Sequence, residues 1–343
     1  GARRYLDAAT AFAEAARNDP HSMGPQQVGW LRDAASALQN AGDREQATAT
    51  WEAAIRMAER LGMVAEVATM RTRLASTLRE LCRFDSAAEQ AARAHEEASL
   101  AGAADAAAAA ALTAGDVAMA ASRWATAGAW FQRAEAAASP VRPRLRARLD
   151  RRFAELAVSK QSPDAGSLAS AAVQSARLAD QPGELSRSHA LRAVVLAREG
   201  RIDQVEATLD RALPPLRAAG ASRILAEARL WAAQAWLAAG RPEKAADEAT
   251  RALVWADEVG HVLFHRRAEA VARRARSRGA GVDGEAALGR LLEIAAALGR
   301  ERDLGALLLR IADAALHLTE ADRAFVILAD EGEDLRVAAA RHA

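Results

Sequence analysis

Two short patterns late in the chain have the spacing of cofactor or metal sites. Residues 279–284, Gly-Ala-Gly-Val-Asp-Gly, satisfy GxGxxG, which binds a pyrophosphate where a strand precedes the glycines and a helix follows them. A basic helical stretch precedes them here, so we interpret the segment as a linker. His261 and His265 could share a helix face, but the sequence shows no HExxH pattern and no third ligand, which favours surface histidines. We therefore expect no cofactor and no bound metal.

The chain shows no recognisable set of catalytic residues. Serine, histidine and aspartate all occur, but without a nucleophile elbow, a P-loop or a kinase motif. The single cysteine, Cys82, excludes intramolecular disulfides and cysteine-ligated zinc, and it favours a reducing, cytoplasmic setting. Because the chain begins at Gly1 rather than Met, we expect it to be a piece of a longer protein. We predict that this piece is not an enzyme, and a kinase or ATPase domain elsewhere in the longer protein stays an open alternative.

Arginine side chains form two clusters that could bind an anionic partner. Such charge runs usually form a solvated helix face balanced by nearby acids, and nucleic-acid binding is the alternative. The chain carries 46 Lys and Arg against 45 Asp and Glu, and the clusters have no interleaved aromatic residues, which argues against nucleic acid. No apolar stretch approaches the roughly 18–20 residues of a membrane span, so we expect no membrane partner. The clusters are Arg142, Arg144, Arg146, Arg148, Arg151 and Arg152, and Arg266, Arg267, Arg273, Arg274, Arg276 and Arg278.

Turn-forming residues recur at a fixed interval along most of the chain. A second set, Gly62, Gly102, Gly220 and Gly260, marks the other turn of the same unit. A period of about 20–50 residues is typical of a solenoid, in which each unit packs only against its neighbours. The content of 51% hydrophobic but only 4% aromatic residues suits closely packed helices. The residues of the first set are Gly42, Cys82, Ser122, Gln161, Gly200 and Gly240, spaced 40, 40, 39, 39 and 40 apart.

Each unit carries two amphipathic helices. In the unit around Gly42, apolar residues recur at i, i+3, i+4 and i+7 from Leu31, and the next helix places Ala47, Trp51 and Ala54 on one face. The alanines let the helix axes approach, and Trp51 fills the gap between successive pairs. The unit resembles a tetratricopeptide repeat lengthened from about 34 to about 40 residues, similar to the long-helix variants of kinesin light chains and large bacterial ATP-dependent regulators. The resemblance implies an all-α fold, a right-handed α-solenoid of helix hairpins.

This resemblance also divides the chain into segments. Residues 28–260 are expected to form six repeats, preceded in residues 1–20 by the second helix of an upstream repeat. Residues 261–281 are expected to form a capping helix and a linker.

The last segment, residues 285–343, departs from the repeat pattern. A leucine-rich helix, Leu288 to Leu298, leads to a strand-like run, Phe325 to Leu328, and then to a turn and a second strand, Leu335 to Ala340. The order resembles the opening of a GAF domain, a small-ligand sensor of bacterial signalling proteins, and implies a small, incomplete α+β segment. No ligand-binding residue of that family can be placed on this sequence. Two strands without the rest of their sheet are expected to fray, to pair with another molecule or to aggregate.

The tetratricopeptide resemblance implies that partners bind the concave surface formed by the first helix of each repeat. In the repeat register the lining is polar and arginine-bearing, and it becomes apolar at Leu230 and Leu237. Such a groove suits an acidic or mixed segment held by forked guanidinium contacts, so Arg151→Glu is expected to weaken partner binding with helicity intact. Charge reversal at both Arg148 and Arg151 tests the groove. The inward-facing residues are Arg32, Ser36, Gln39, Asn40, Thr72, Ser76, Arg79, Arg148, Arg151, Glu155, Arg187 and Gln234.

The sequence as a whole indicates a non-catalytic protein–protein interaction and regulatory module of a bacterial multidomain signalling protein. We expect it to bind a protein, a peptide or a segment of its own longer chain in the concave groove, and to couple that state to a GAF sensor. The alternatives are a nucleic-acid-binding scaffold that uses the arginine clusters and a scaffold that forms homodimers through the C-terminal segment.

Overall fold

The computed structural model describes residues 2–18, 24–138 and 142–280, short stretches between 303 and 313, and residues 323–329 and 335–342. The chain divides into two compact units, Gly1–Arg276 and Ser277–Ala343, and each is considered by itself. The helix expected at Leu288 to Leu298 and residues 281–284 of the GxGxxG pattern lie outside the described residues.

Helices account for nearly all of the described residues of the first unit. They are α1 (Ala2–Asn18), α2 (Pro25–Ala41), α3 (Arg44–Arg60), α4 (Val64–Glu80), α5 (Phe84–Leu100), α6 (Ala104–Ala120), α7 (Trp124–Ala137), α8 (Pro143–Lys160), α9 (Ala165–Leu178), α10 (Pro182–Arg198), α11 (Ile202–Ala218), α12 (Ser222–Ala238), α13 (Pro242–Glu258) and α14 (Val262–Ala280).

Consecutive helices pack as antiparallel pairs along a single row. In addition, α4 contacts α6, α8 contacts α10 and α10 contacts α12, so the even-numbered helices form one layer and the odd-numbered helices form the other. This is the all-α solenoid that the sequence predicts. No helix in the described part of the chain is long and apolar enough to cross a membrane.

The residues that set the sequence period take the left-handed backbone conformation. The φ angle is 97° at Gly42, 62° at Cys82, 58° at Ser122 and 56° at Gln161. Where the second set of glycines is interrupted before α10, Asp180 takes the same conformation with φ at 50°. This conformation lets the backbone N–H groups after each helix bond back to its last carbonyls, so the chain can reverse within two residues. The predicted turns are therefore confirmed.

The repeats pack through alanine and one large residue per interface. Trp51 on α3 and Phe131 on α7 are fully buried among alanines. Phe131 packs directly on Gly115 of α6, where an added Cβ would lie only 2.2 Å from the ring carbon Cε1. Glycine at this position lets the two helices approach closely enough to enclose the ring.

The second unit contains an antiparallel pair of strands, β1 (Arg323–Ala329) and β2 (Leu335–His342). Phe325 pairs with Ala340 and Ile327 with Val337, with a bulge between Val326 and Ile327. The strands lie where the sequence predicts them. The GAF resemblance of this unit stays a prediction.

Candidate binding cavity in the solenoid interior

The even-numbered helices of the first unit surround a polar cavity with two chambers. The large chamber has a volume of about 400 Å³ and is lined by hydroxyl groups of Thr72, Ser76 and Thr113 and by several arginines. The small chamber has a volume of about 110 Å³ and is lined by arginines, by carboxylates and by aromatic and aliphatic side chains. Arg79, Arg152 and other charged residues form a wall that the two chambers share.

Charged side chains on successive inner helices form a continuous ring of ion pairs around this cavity. The ring starts at Arg79 on α4, passes through α6, α8, α10 and α12, and returns to α4 at the next residue, Glu80. Its pairs, with the nitrogen–oxygen distance, are Arg79–Asp116 (3.3 Å), Asp116–Arg152 (2.8 Å), Arg152–Glu155 (2.6 Å), Glu155–Arg151, Arg151–Glu184 (2.5 Å), Glu184–Arg187 (2.5 Å), Arg187–Glu227 (2.7 Å), Glu227–Arg223 (3.7 Å) and Arg223–Glu80 (3.2 Å). We call this set the ion-pair ring.

Helical spacing brings the members of the ring into register. Glu184 and Arg187 are three residues apart, and Arg151 and Glu155 are four apart, so each pair shares one helix face. Burial alone would raise the pKa of Glu155, but the neighbouring Arg151 and Arg152 lower it to about 2. Glu155 is therefore ionised at neutral pH, and each carboxylate of the ring is already paired with an arginine.

Three exposed arginines that line the cavity remain outside the ring. Arg73 and Arg148 line the large chamber, and Arg267 lines the small one. Among the described residues, no carboxylate oxygen lies within 4.0 Å of these three guanidinium groups. Partial desolvation lowers the pKa of Arg148 and of Arg267, although both residues are exposed, because no carboxylate lies close enough to offset it. The interior therefore carries an excess of positive charge that can accept carboxylate or phosphate groups.

The two ends of the repeat row meet beside the cavity. Arg44, the first residue of α3, donates from Nε to Glu80 Oε2 at 2.7 Å. Its Nη1 donates to the carbonyl oxygens of Val259 at 2.7 Å and Gly260 at 3.1 Å, in the turn between α13 and α14. His261, the next residue, places Nε2 3.7 Å from Glu80 Oε1. We call these five residues the clasp.

The backbone at the clasp leaves no room for a larger residue. A Cβ added at Gly42 would lie 2.8 Å from the carbonyl oxygen of Val259. Burial lowers the pKa of His261 to about 4, although Glu80 opposes this shift, so the imidazole is neutral at physiological pH. Burial also raises the pKa of Glu80, but His261, Arg223 and Arg44 together lower it. The clasp thus contains one carboxylate that is stabilised from both ends of the solenoid.

The structure brings together only part of the predicted groove. Six of the predicted residues line the large chamber: Thr72, Ser76, Arg79, Arg148, Arg151 and Arg187. The small chamber is lined by Glu155. Neither chamber is lined by the predicted residues of α2, which are Arg32, Ser36, Gln39 and Asn40, or by Gln234 of α12.

Arg151 differs from its expected environment. The sequence predicts that its guanidinium faces a partner, but the side chain is 2% exposed and lies between Glu155 and Glu184. The reason is that α10 supplies a carboxylate opposite it, which the local sequence of α8 does not reveal. Of the two arginines singled out for charge reversal, Arg148 has the accessible guanidinium.

Several residues of the cavity were missed because the inward register was followed only in part. The inward-facing position recurs 39, 40 and 40 residues apart, at Arg148, Arg187, Glu227 and Arg267. Glu227 lies one repeat beyond Arg187, and Arg267 lies two repeats beyond it, so the repeat spacing predicts both residues. No repeat spacing in the sequence identifies Arg44 as a cavity residue, because it contacts its partners only where the two ends of the repeat row meet. The other ring residues absent from the prediction are Glu80, Asp116, Arg152, Glu184 and Arg223.

Two exposed members of the first arginine cluster are paired with acids, as a solvated helix face predicts. Arg142 pairs with Asp105 at 2.9 Å and Arg146 with Glu135 at 2.6 Å. These two guanidinium groups are thus engaged within the protein and are not free to bind nucleic acid.

Comparisons with known proteins show the fold. No protein-family model and no curated protein sequence matches the chain. BtubC (BKLC) from P. vanneervenii is similar in structure, with 20% identity and a TM-score of 0.52 over 64% of this chain and 92% of that one. Aspartyl phosphate phosphatase F from Bacillus subtilis has 12% identity and a TM-score of 0.53 over 73% of this chain and 70% of that one. A Rap protein complexed with Competence and Sporulation Factor has 12% identity and a TM-score of 0.51 over 81% and 72%.

Proposed function

We propose that this chain, an α-solenoid of tetratricopeptide-like repeats, is a non-catalytic interaction module that binds an acidic segment in its interior. The segment belongs to a protein partner or to the longer chain from which this piece comes. One observation carries the proposal: Arg73 and Arg148 line the large chamber without a counter-ion, while the carboxylates beside them are already paired within the ring.

The chemistry of the large chamber suits an extended peptide. The hydroxyl groups of Thr72 and Thr113 already donate to carbonyl oxygens of their own helices, so they can accept from a peptide N–H. Arg73 and Arg148 can each form a forked contact with a Glu or Asp side chain. The Rap structure is complexed with Competence and Sporulation Factor, which supports a binding role for this fold by analogy.

The same proposal assigns a regulatory role to the chain. The C-terminal unit is the start of a GAF domain, and occupancy of the interior is coupled to that sensor in a cytoplasmic bacterial signalling protein. The predicted order of helix, strand, turn and strand supports this assignment, and the paired strands β1 and β2 are consistent with it.

A labelled peptide of alternating glutamate and serine tests the proposed function. Its fluorescence anisotropy should rise with the wild-type protein and fall again with added salt, whereas glutamine–serine and lysine–serine peptides should not bind. Arg73→Glu combined with Arg148→Glu should weaken binding by at least about tenfold, or ~1.4 kcal/mol. Arg56→Glu, on the exposed face of α3, is the matched control and should leave the affinity unchanged.

Circular dichroism of each variant confirms that the helices remain folded. Absence of binding by the acidic peptide would contradict the proposal, and so would equal affinity of the wild type and the double variant.

Self-association through the C-terminal hairpin is a second candidate function. Phe325, Ile327 and Val337 are each more than half exposed on the hairpin, whose outer edges have no strand partner among the described residues. Phe325→Thr with Ile327→Thr should convert a dimer to a monomer in light scattering if the hairpin pairs with a second copy. A protein that is monomeric before substitution would contradict this candidate.

A further inference from the structure

The small chamber combines a rigid apolar wall with a cationic wall. Leu230, Trp231 and Phe264 form the apolar side, and each is less than one-tenth exposed. Trp255 packs edge-on against Phe264 at a ring-centroid distance of 5.3 Å, which holds the Phe264 ring in place. The wall is therefore preformed and does not need to rearrange around a ligand.

The volume of the chamber limits what can enter it. At about 110 Å³ it is slightly smaller than the ~150 Å³ apolar cavity that accepts benzene in an engineered protein. One aromatic ring or one branched aliphatic group therefore fills the apolar part, and a polar group of the ligand must face the arginines.

The charges around the chamber leave one positive charge unmatched. Its arginines are Arg79, Arg152, Arg223 and Arg267, and its carboxylates are Asp116, Glu155 and Glu227. His261 is neutral at physiological pH because burial lowers its pKa to about 4.

The unmatched charge can be placed on a particular residue. Asp116, Glu155 and Glu227 are each paired with an arginine of the ring, whereas Arg267 makes no ion pair with any described residue. The Nε of Arg79 is buried and also lacks a hydrogen-bond acceptor. A single carboxylate would balance this site, whereas a phosphate dianion would leave it with excess negative charge.

We propose that the small chamber binds a small organic acid with one carboxylate on an aromatic or branched aliphatic body. The carboxylate contacts the guanidinium of Arg267, and the body packs against Trp231 and Phe264. This site does not depend on the peptide proposed for the large chamber, because the acid needs no protein partner.

The position of the chamber gives the ligand a structural effect. Its lining comes from α4, α6, α7 and α8 and also from α12 and α14, so a bound acid lies between the early and the late helices of the row. Binding energy then adds to the clasp and favours the closed form.

Isothermal titration of the full chain with phenylacetate and with isovalerate tests the proposal. Both acids should bind and raise the melting temperature, and phenylacetamide, which has the same body without the charge, should not. Acetate and inorganic phosphate, which have the charge without the body, should bind at least about tenfold more weakly than phenylacetate.

Two variants locate the site. Arg267→Gln should weaken phenylacetate binding by at least about tenfold without loss of stability, because Arg267 makes no ion pair in the described structure. Arg266→Gln is the control, since Arg266 is the neighbour on the same helix, is exposed as Arg267 is, and does not line the chamber. Leu263→Trp should block binding by filling the chamber, with circular dichroism unchanged.

Three results would overturn the proposal: no binding of either acid at millimolar concentration, phosphate or acetate binding as tightly as phenylacetate, or unchanged affinity in Arg267→Gln. The labelled acidic peptide tests binding at Arg73 and Arg148 in the large chamber, whereas phenylacetate tests binding at Arg267 in the small chamber. A negative result in one experiment therefore leaves the other proposal open to its own test.

Discussion

Arg44 and Val259 are 215 positions apart in the sequence, yet Arg44 Nη1 donates a 2.7 Å hydrogen bond to the Val259 carbonyl oxygen. The same arginine binds Glu80 through Nε, so one side chain joins α3, α4 and the turn before α14. A solenoid usually leaves its concave face open along one side. In this protein the first and last repeats meet, and the concave face forms a cavity that stays open to solvent at Arg73, Arg148 and Arg267.

Arg44→Ala should open and destabilise the solenoid. The substitution removes one cation from Glu80, which is 1% exposed, and loss of one partner of a buried ion pair costs about 3–5 kcal/mol. Because Arg223 still faces Glu80, we expect the free energy of unfolding to fall by an amount near the lower end of this range. Urea denaturation measures the loss, and small-angle X-ray scattering should show a larger radius of gyration.

The matched control for Arg44 is Arg83→Ala. Arg83 pairs with Glu45 at the same nitrogen–oxygen distance of 2.7 Å, but both side chains are at least half exposed, and such pairs contribute about 0–1 kcal/mol. Equal unfolding midpoints and equal radii for the two variants would show that the clasp does not hold the ends together.

Arg151→Met tests the ion-pair ring as a stabilising element. Arg151 is enclosed by Glu155 and Glu184, so its removal leaves two buried carboxylates short of a cation and should cost about 3–5 kcal/mol. Arg146→Met removes an arginine that also has two acidic partners but is nearly half exposed, and it should cost less than about 1 kcal/mol. Denaturation curves with similar midpoints would contradict a structural role for the ring. Charge reversal at Arg151 should unfold the protein locally, so Arg148 is the correct position for a binding test.

Gly115→Ala should destabilise the protein by overpacking. The new methyl group would overlap the buried Phe131 ring, and inserted methyl groups in a close-packed core typically cost about 1–3 kcal/mol. Gly128→Ala is the control on the neighbouring helix, because its Cβ would meet only the end of the Leu156 side chain at 3.4 Å. Helix propensity favours Ala over Gly by up to about 1 kcal/mol, so this variant should be neutral or slightly stabilised. The opposite order of the two thermal midpoints would refute the close approach of α6 and α7.

Stability should fall as the pH decreases from 7 to 5.5 because of two buried histidines. Burial lowers the pKa of His189 to about 4, and the nearby Arg211 contributes to the shift; burial also lowers the pKa of His261 to about 4. An unfolded histidine binds a proton near pH 6.5, so the unfolded state takes up protons that the folded state does not, and each histidine should cost about 1 kcal/mol over this interval.

Urea denaturation at pH 7, 6 and 5.5 measures this dependence, and His189→Gln should reduce its slope. Glu155 and Glu227, whose pKa values the neighbouring arginines lower to about 2 against the effect of burial, lose their contribution only below about pH 4.5. The pH range in which the histidines affect stability is therefore separate from the range in which Glu155 and Glu227 affect it. A free energy of unfolding that is constant from pH 7 to 5.5 would exclude the effect.

Sequence reasoning predicted the repeat because the repeat depends on local geometry. Cys82 occupies a turn position at which other units carry glycine, and its backbone is also left-handed. The turn conformation, and not the identity of the side chain, therefore defines the 40-residue period of the sequence. Trp51 is buried at an interface between helices, as predicted from the small residues Ala47 and Ala54 that flank it on the same helix face. Each of these features is determined by residues within one repeat of each other.

The candidate site was predicted less completely because it depends on several repeats at once. The acids that neutralise Arg151 come from its own helix and from α10, and the contacts of Arg44 come from the far end of the row. Small rotations between successive repeats add up over the whole array, so the sequence of one unit does not reveal which units meet. The inward register was sufficient to find Arg148 and would also have found Arg267 if extended.

Closure by the clasp changes how this array should come apart. Open repeat arrays can lose their terminal units one at a time, since each unit contacts only its neighbours. Here the segment from Arg44 to Gly260 has no free end at which unravelling could begin, so its repeats should melt together as one cooperative block. The loop that Arg44 closes is also long, and its entropy cost places this contact among the last to form when the protein folds.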